Sequence, residues 1–327
     1  MDLSEFNLFI LALGAMGLGT IMLVKGGDWT IEGAVYIAKK FGLSPLIIGF
    51  TIVAFGTSLP ELIISLNANL KGSAGIALGN VLGSNIANIL LVCGSAAIIA
   101  KMTVDRGHIL NDTIMMIAST LLMIGLFLYG FISQLAGLGM VAILILYVLY
   151  QYRAASKQDN HEIEEDIEEA QFNTPALAYV FFLMGLGFIA GGAEFLIRGA
   201  QISATILGVP EAVIALSIIA LGTSLPELAT CVAAAMKKQT DLIIGNIIGS
   251  NVFNILMILG VASAVKSIDV TAASPQIVNL DMWITLAVTV FFSIWLLIFK
   301  RMDRFLGIMF VTGYIVYILA IYALYLE

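Results

Sequence analysis

Charge is scarce in this chain: Asp, Glu, Lys and Arg make up 11% of its 327 residues, against about a quarter in soluble domains. That leaves too little polar surface to cover a water-soluble globule of this size. Histidine is rarer still. His108 and His161 both fall in expected loops, so hydrolysis lacks a buried base beside a serine and a His-rich metal centre is equally excluded. The two cysteines, Cys93 and Cys231, show neither zinc-type spacing nor a secreted-disulfide pattern and read as small buried hydrophobes. There is no Gly-rich phosphate loop with its lysine, so no nucleotide partner is expected, nor any enzymatic activity or cofactor. The net charge of −7 comes largely from the acids of 162–169, and nothing in it suggests nucleic acid. The start of the chain carries Asp2 and Glu5 rather than a basic patch, so a cleaved leader is not expected.

What the chain does have is hydrophobic residues, 60% of the total, in runs of membrane-spanning length. They predict ten helices near 6–24, 43–70, 75–99, 111–128, 133–152, 175–197, 209–236, 242–264, 281–300 and 306–326, the first continuing towards Ala38 if tilted. The expected fold is an all-α polytopic membrane protein partnered by the lipid bilayer. A first five-helix unit spans 1–152 and a second 175–327, joined by an acidic segment, 153–174. That segment lacks the alternating oxygen ligands around a glycine of a calcium-binding EF-hand loop. With both termini outside, twelve basic residues face inward and Lys71, Arg198 and Lys266 face outward. This positive-inside bias puts the acidic segment in the cytoplasm and the chain in the cell's inner (plasma) membrane.

The sharpest feature is an internal repeat. IGFTIVAFGTSLPEL at 48–62 returns as IALSIIALGTSLPEL at 214–228, and GNVLGSNIANILLVCG at 79–94 returns as GNIIGSNVFNILMILG at 245–260, both at an offset of 166 residues. Weaker echoes pair Gly33 with Gly199 and Asp28 with Glu194. Five spans per copy is an odd number, so the second copy enters the membrane from the opposite side. Inverted halves of this kind are a recurring plan of secondary transporters, with the substrate site where the halves meet.

Each copy sets a proline before a glutamate inside an apolar span, at Pro60-Glu61 and Pro226-Glu227. Proline opens the preceding turn, and the carbonyls freed around Ala54 and Phe55, or Ala220 and Leu221, need a partner in hydrocarbon. Thr57, Ser58, Thr223 and Ser224 add hydroxyls beside each break. A glutamate in the bilayer interior is costly unless neutralised, and no basic residue is placed to pair with Glu61 or Glu227. Carboxylates, hydroxyls, amide oxygens and carbonyls together make an oxygen shell for a hard cation. Asn80, Ser84 and Asn88, like Asn246, Ser250 and Asn254, share one helix stripe. Asn85 and Asn251 lie one position off it and suit packing or support. Any single Ser or Asn here has a plainer role as an interhelical hydrogen bond. Asp28 and Glu194 are expected near a membrane boundary or paired with Lys25 or Arg198. Asp112 and Asp281 are expected to be acids at span starts.

The two motifs, GTSLPE at 56–61 and 222–227 and GNxxGSNxxN at 79–88 and 245–254, resemble the paired alpha-repeats of the calcium/cation antiporter superfamily, in its sodium/calcium exchanger branch of prokaryotic type. The likeness extends over essentially the whole chain. It implies a secondary antiporter exchanging Na⁺ for Ca²⁺ by alternating access, more than one sodium per calcium, as the first and sixth spans slide over a core. By the same resemblance the ligands are Ala54, Thr57, Ser58, Glu61, Ser84 and Asn88 in the first half. In the second they are Ala220, Thr223, Ser224, Glu227, Ser250 and Asn254. Some relatives carry aspartate where this chain has Asn254, and asparagine weakens a potassium-cotransport assignment. The chain is expected to function as a monomer. Two other readings stand beside this one. Protons can replace sodium on the same fold, since glutamates titrate, although the hydroxyl-rich breaks favour sodium. A cation channel is the other, disfavoured because pores place ligand rings around a subunit axis.

Overall fold

The computed structural model describes residues 3–41, 43–104, 106–155, 174–207 and 220–326. The acidic segment 153–174 and the first part of the expected seventh span thus fall largely outside the described residues.

Two helices are far longer than the roughly 20 residues that cross a bilayer: α1 (Leu3–Phe41) and α7 (Pro175–Ile206). The first runs on past 24 to the region of Ala38, as a tilted span would, and the second passes its expected end at 197. The charged residues met there, Lys25, Asp28 and Glu32 or Glu194 and Arg198, interrupt an apolar run but do not break a helix. By contrast, α2 (Pro45–Thr57) and α3 (Leu59–Leu70) are bent by 46° at Ser58, whose backbone sits at φ −86°, ψ 3°. The second half breaks in the same way at Ser224 (φ −90°, ψ 3°), between α8 (Ala220–Thr223) and α9 (Leu225–Met236). In each case the proline two residues on has no N–H to continue the preceding ladder.

The remaining spans are α4 (Ala74–Ile99), α5 (Arg106–Tyr129), α6 (Gln134–Ala155), α10 (Thr240–Val265), α11 (Ile277–Phe299) and α12 (Arg304–Leu326). Among the described residues eight helices are long and apolar enough to cross a membrane, nine if the bent α2–α3 pair counts as one.

Two-residue ladders join the halves. β1 (Met102–Thr103) pairs antiparallel with β4 (Arg301–Met302), and β2 (Phe131–Ile132) with β3 (Ile268–Asp269). The first brings the turn after α4 beside the turn after α11; the second brings the turn after α5 beside the turn after α10. Side chains agree: Arg304 Nε donates to Ile98 O (3.1 Å) on one side, and Lys266 Nζ to Leu70 O (3.2 Å) on the other.

α10 is buried along its length and meets the α2 backbone through glycines. A Cβ on Gly245 would lie 2.1 Å from Leu46 O, and one on Gly249 2.3 Å from Phe50 O. α1 and α7 run antiparallel along a second glycine seam of seven-residue period. Added Cβ atoms on Gly19 and Gly26 would meet Gly192 O at 2.6 Å and Gly185 O at 2.8 Å, and one on Gly199 would meet Ala12 O at 2.6 Å. Small residues are what allow membrane helices to approach this closely.

Two expectations change. Asp112 and Asp281 do lie near the starts of α5 and α11, yet both are buried. Asp112 accepts hydrogen bonds from Tyr147 Oη and Gln151 Nε2 of α6. Asp281 accepts from Tyr317 Oη of α12 at 3.1 Å and from Gln276 Nε2 at 3.3 Å. Burial without a basic partner requires such donors, and all but Gln276 come from the neighbouring helix, which sequence spacing does not reveal. Asp28 pairs with Lys237 (3.8 Å) rather than Lys25, while Glu194 does pair with Arg198.

Candidate ion-binding site

The two breaks place Glu61 and Glu227 in the first turns of α3 and α9, where the helix dipole favours a carboxylate. Both are almost fully buried, at 1% and 2% exposure. No Lys or Arg pairs with either among the described residues. Ser58 Oγ, from the other half, donates to Glu227 Oε1 at 3.4 Å. Both oxygens of Glu61 and Oε2 of Glu227 have no hydrogen-bond partner.

The third and eighth spans, α4 and α10, enclose this pair. At Asn88–Cys93 and at Asn254–Leu259 each helix passes through a π-helical turn, which begins at the asparagine in both halves. Such turns shift side chains out of the regular stripe and recur at functional sites. Asn88 Oδ1, Asn254 Oδ1, Ser224 Oγ and Ser250 Oγ are also buried without a partner. An orphaned buried oxygen costs free energy unless something satisfies it. Nine of them are contributed by the repeated motifs: two from Glu61 and one each from Glu227, Asn88, Asn246, Asn251, Asn254, Ser224 and Ser250. Oxygens of this chemistry suit a calcium ion, which takes six to eight such ligands.

The other expected residues are placed as follows. Ala54, Thr57 and Ser58 are buried at the first break. The Ala54 carbonyl accepts from Ser58 N–H at 3.0 Å and Thr57 Oγ1 at 3.4 Å, so it is not left bare by Pro60. Ser84 Oγ donates to Asn80 O at 2.6 Å. Thr223 is buried in the corresponding break and Ala220 opens α8. Asn80, on the same stripe as Ser84 and Asn88, ties α4 to α3 by donating to Glu61 O at 3.2 Å and Ser65 Oγ at 2.9 Å.

The two sides of this site differ. α1 lies tightly on α9: a Cβ on Gly27 would be 3.0 Å from Ala233 Cβ, and Lys237 Nζ reaches Glu32 Oε1 at 2.7 Å. On the opposite side a cavity of about 480 Å³ separates α7 from α3, lined by Ile64, Glu194, Ile197, Arg198, Gln201 and Thr223 among others. It reaches the second break at Thr223. Sequence reading missed this route, because it depends on how two helices of opposite halves are spaced.

An inverted-repeat membrane fold with two unneutralised carboxylates where its halves meet defines a class, the secondary cation transporters. The family model for sodium/calcium exchanger protein matches residues 11–153 and 177–323. The chain is similar to inner membrane protein YrbG of Escherichia coli strain K12, with 31% identity over 321 residues, covering 96% of this chain and 97% of the relative. It is similar to sodium/calcium exchanger MaX1 of Methanosarcina acetivorans, at 30% identity over 93% of this chain and 97% of that one. A structure of the sodium-calcium exchanger NCX_Mj soaked with sodium and strontium matches with a TM-score of 0.80 at 32% identity, covering 94% of this chain and 98% of that chain. The chain belongs to the sodium/calcium exchanger family.

Proposed function

We propose that this secondary antiporter carries calcium between Glu61 and Glu227 and exchanges it for sodium at the same oxygens. The supporting observation is the set of orphaned oxygens from both repeats around two carboxylates without a basic partner. Asn88, Asn254, Ser84, Ser224 and Ser250 complete the shell, and the breaks at Ala54–Ser58 and Ala220–Ser224 supply hydroxyls and carbonyls for sodium. Two carboxylates carry a charge of −2 when ionised. One Ca²⁺ neutralises it, and so does a pair of Na⁺ ions, so binding of either excludes the other on charge alone. Asn254, neutral where some relatives have aspartate, holds the site at that charge.

Transport proceeds by alternating access. The glycine seam lets α1 and α7 move as a unit. Seating α1 on α9 closes one route, while the cavity beside α7 leaves the other open. The membrane is the cell's inner (plasma) membrane. With both termini outside and 153–174 in the cytoplasm, the open route faces outward. The units 1–152 and 175–327 act as two repeats in one working monomer.

The test is flux. Proteoliposomes loaded with sodium and diluted into sodium-free medium are expected to accumulate calcium. Uptake driven by a pH gradient and indifferent to sodium would overturn the sodium assignment in favour of protons.

A further inference from the structure

Among the amides around the two glutamates, Asn254 and Asn85 are tied to each other across the repeats by a side-chain bond. An asparagine can present either its oxygen or its NH₂ to a ligand, and only the oxygen binds a cation. At Asn254 the choice is fixed from the other repeat. Its Nδ2 donates to Asn85 Oδ1 at 2.9 Å and to Ser84 Oγ at 3.1 Å. Both acceptors are themselves anchored. The Ser84 hydroxyl hydrogen is committed to the Asn80 main-chain carbonyl at 2.6 Å, so its oxygen accepts. Asn85 Nδ2 faces the Asn251 main-chain carbonyl at 3.5 Å, which turns Asn85 Oδ1 towards Asn254. A main-chain carbonyl can only accept, so each anchor has one polarity. The result leaves Asn254 Oδ1 without a protein partner.

The counterpart arrangement in the other repeat does not exist. Asn251 Nδ2 donates back into its own helix, to Ile247 O at 2.7 Å, and both polar atoms of Asn88 lack partners. We propose that Asn85 is a positioning residue that fixes the amide polarity of Asn254 across the repeat interface, so that Oδ1 meets the transported cation. This rests on the site reading above. It explains how a neutral amide serves at this position: an aspartate has two equivalent oxygens and needs no orientation, whereas an asparagine does.

The experiment measures half-saturating calcium for sodium-driven uptake by the full chain in proteoliposomes, with melting temperature in detergent with and without calcium. Asn85→Ala and the isosteric but apolar Asn85→Leu are expected to raise half-saturating calcium by about 10- to 100-fold, the usual effect of losing a supporting partner of a metal ligand, with a smaller change in maximal rate. In an Asn254→Asp background the same substitutions are expected to leave half-saturation nearly unchanged. Unaltered affinity in Asn85→Ala, or equal losses in both backgrounds, would overturn the assignment. So would an equal collapse of the calcium-free melting temperature in both backgrounds, which marks a packing role. If Glu61→Gln retains full calcium transport, the site reading itself fails. Loss in that variant together with an indifferent Asn85 defeats the positioning role alone.

Discussion

Lys237 and Glu32 are joined across the α1–α9 contact, Nζ to Oε1 at 2.7 Å, with Asp28 a second acid at 3.8 Å. The repeat counterpart of Lys237 is Lys71, and that of Glu32 is Arg198. On the cavity side, therefore, a basic residue stands where Glu32 stands, and Arg198 pairs with Glu194 on its own helix. The two sides do not carry the same charge pairs. Lys237→Ala is expected to loosen the α1–α9 closure. The pair is partly exposed, which limits its worth to under about 1 kcal/mol, or up to about fivefold in the ratio of the two facing states. A cysteine introduced at Ala233 would report it: thiol labelling is expected to speed up in the Lys237→Ala background, and unchanged labelling would remove the latch role.

Glu61→Gln and Glu227→Gln are each expected to abolish sodium-driven calcium uptake while leaving expression and folding intact. Each removes one of two like charges buried together without a basic partner, so the calcium-free protein is not expected to melt earlier. The signature to look for is calcium-dependent stabilisation. It amounts to about 2.7 kcal/mol at a hundredfold excess over Kd in the parent and is expected to vanish in both variants.

The glycine seam makes a sharp steric prediction. Gly26→Leu and Gly192→Leu place a Cβ within 2.8 Å and 2.7 Å of the partner backbone. Overpacking of this kind costs about 1–3 kcal/mol, seen as a lower melting temperature, and exchange is expected to fall steeply as the pair is forced apart. Gly17→Leu is the control, since nothing lies within 4 Å of its added Cβ. Equal behaviour of the three would mean that the seam does not hold the pair.

Asp112 is held by two donors of α6 and serves that helix pair rather than the ion. Asp112→Ala leaves buried donors without partners, at about 1–3 kcal/mol each. Its melting temperature is expected to drop while half-saturating calcium stays at the parent value. A changed calcium affinity would bring Asp112 into the transport path.

Much of this was legible in the sequence. The repeated GTSLPE located both breaks and both glutamates, because proline and a buried acid are local signals with strong physical costs. The odd span count gave the inversion. What escaped depended on contacts between distant segments. Asp112 and Asp281 look like ordinary boundary acids until Tyr147 and Tyr317 are seen against them. Lys25 lies nearest Asp28 in the chain, yet Lys237 is its partner in space. Of the heptad glycines only Gly33 and Gly199 were matched from sequence, since glycine is common in membrane helices and the seam appears only when α1 meets α7. The orientation of Asn254 was unreadable for the same reason: its two acceptors sit on the other repeat.

The short ladders β1–β4 and β2–β3 carry a mechanical consequence. They fasten the turns of α4–α6 to those of α10–α12 at both faces of the membrane by main-chain bonds. Among the described residues, no main-chain hydrogen bond fastens α1 or α7 to any element beyond the turn that adjoins it. One part of the molecule is thus a frame riveted at top and bottom, and the other a carriage resting on it through side chains and glycine backbone alone. A motion of the pair need break no described main-chain bond to the frame.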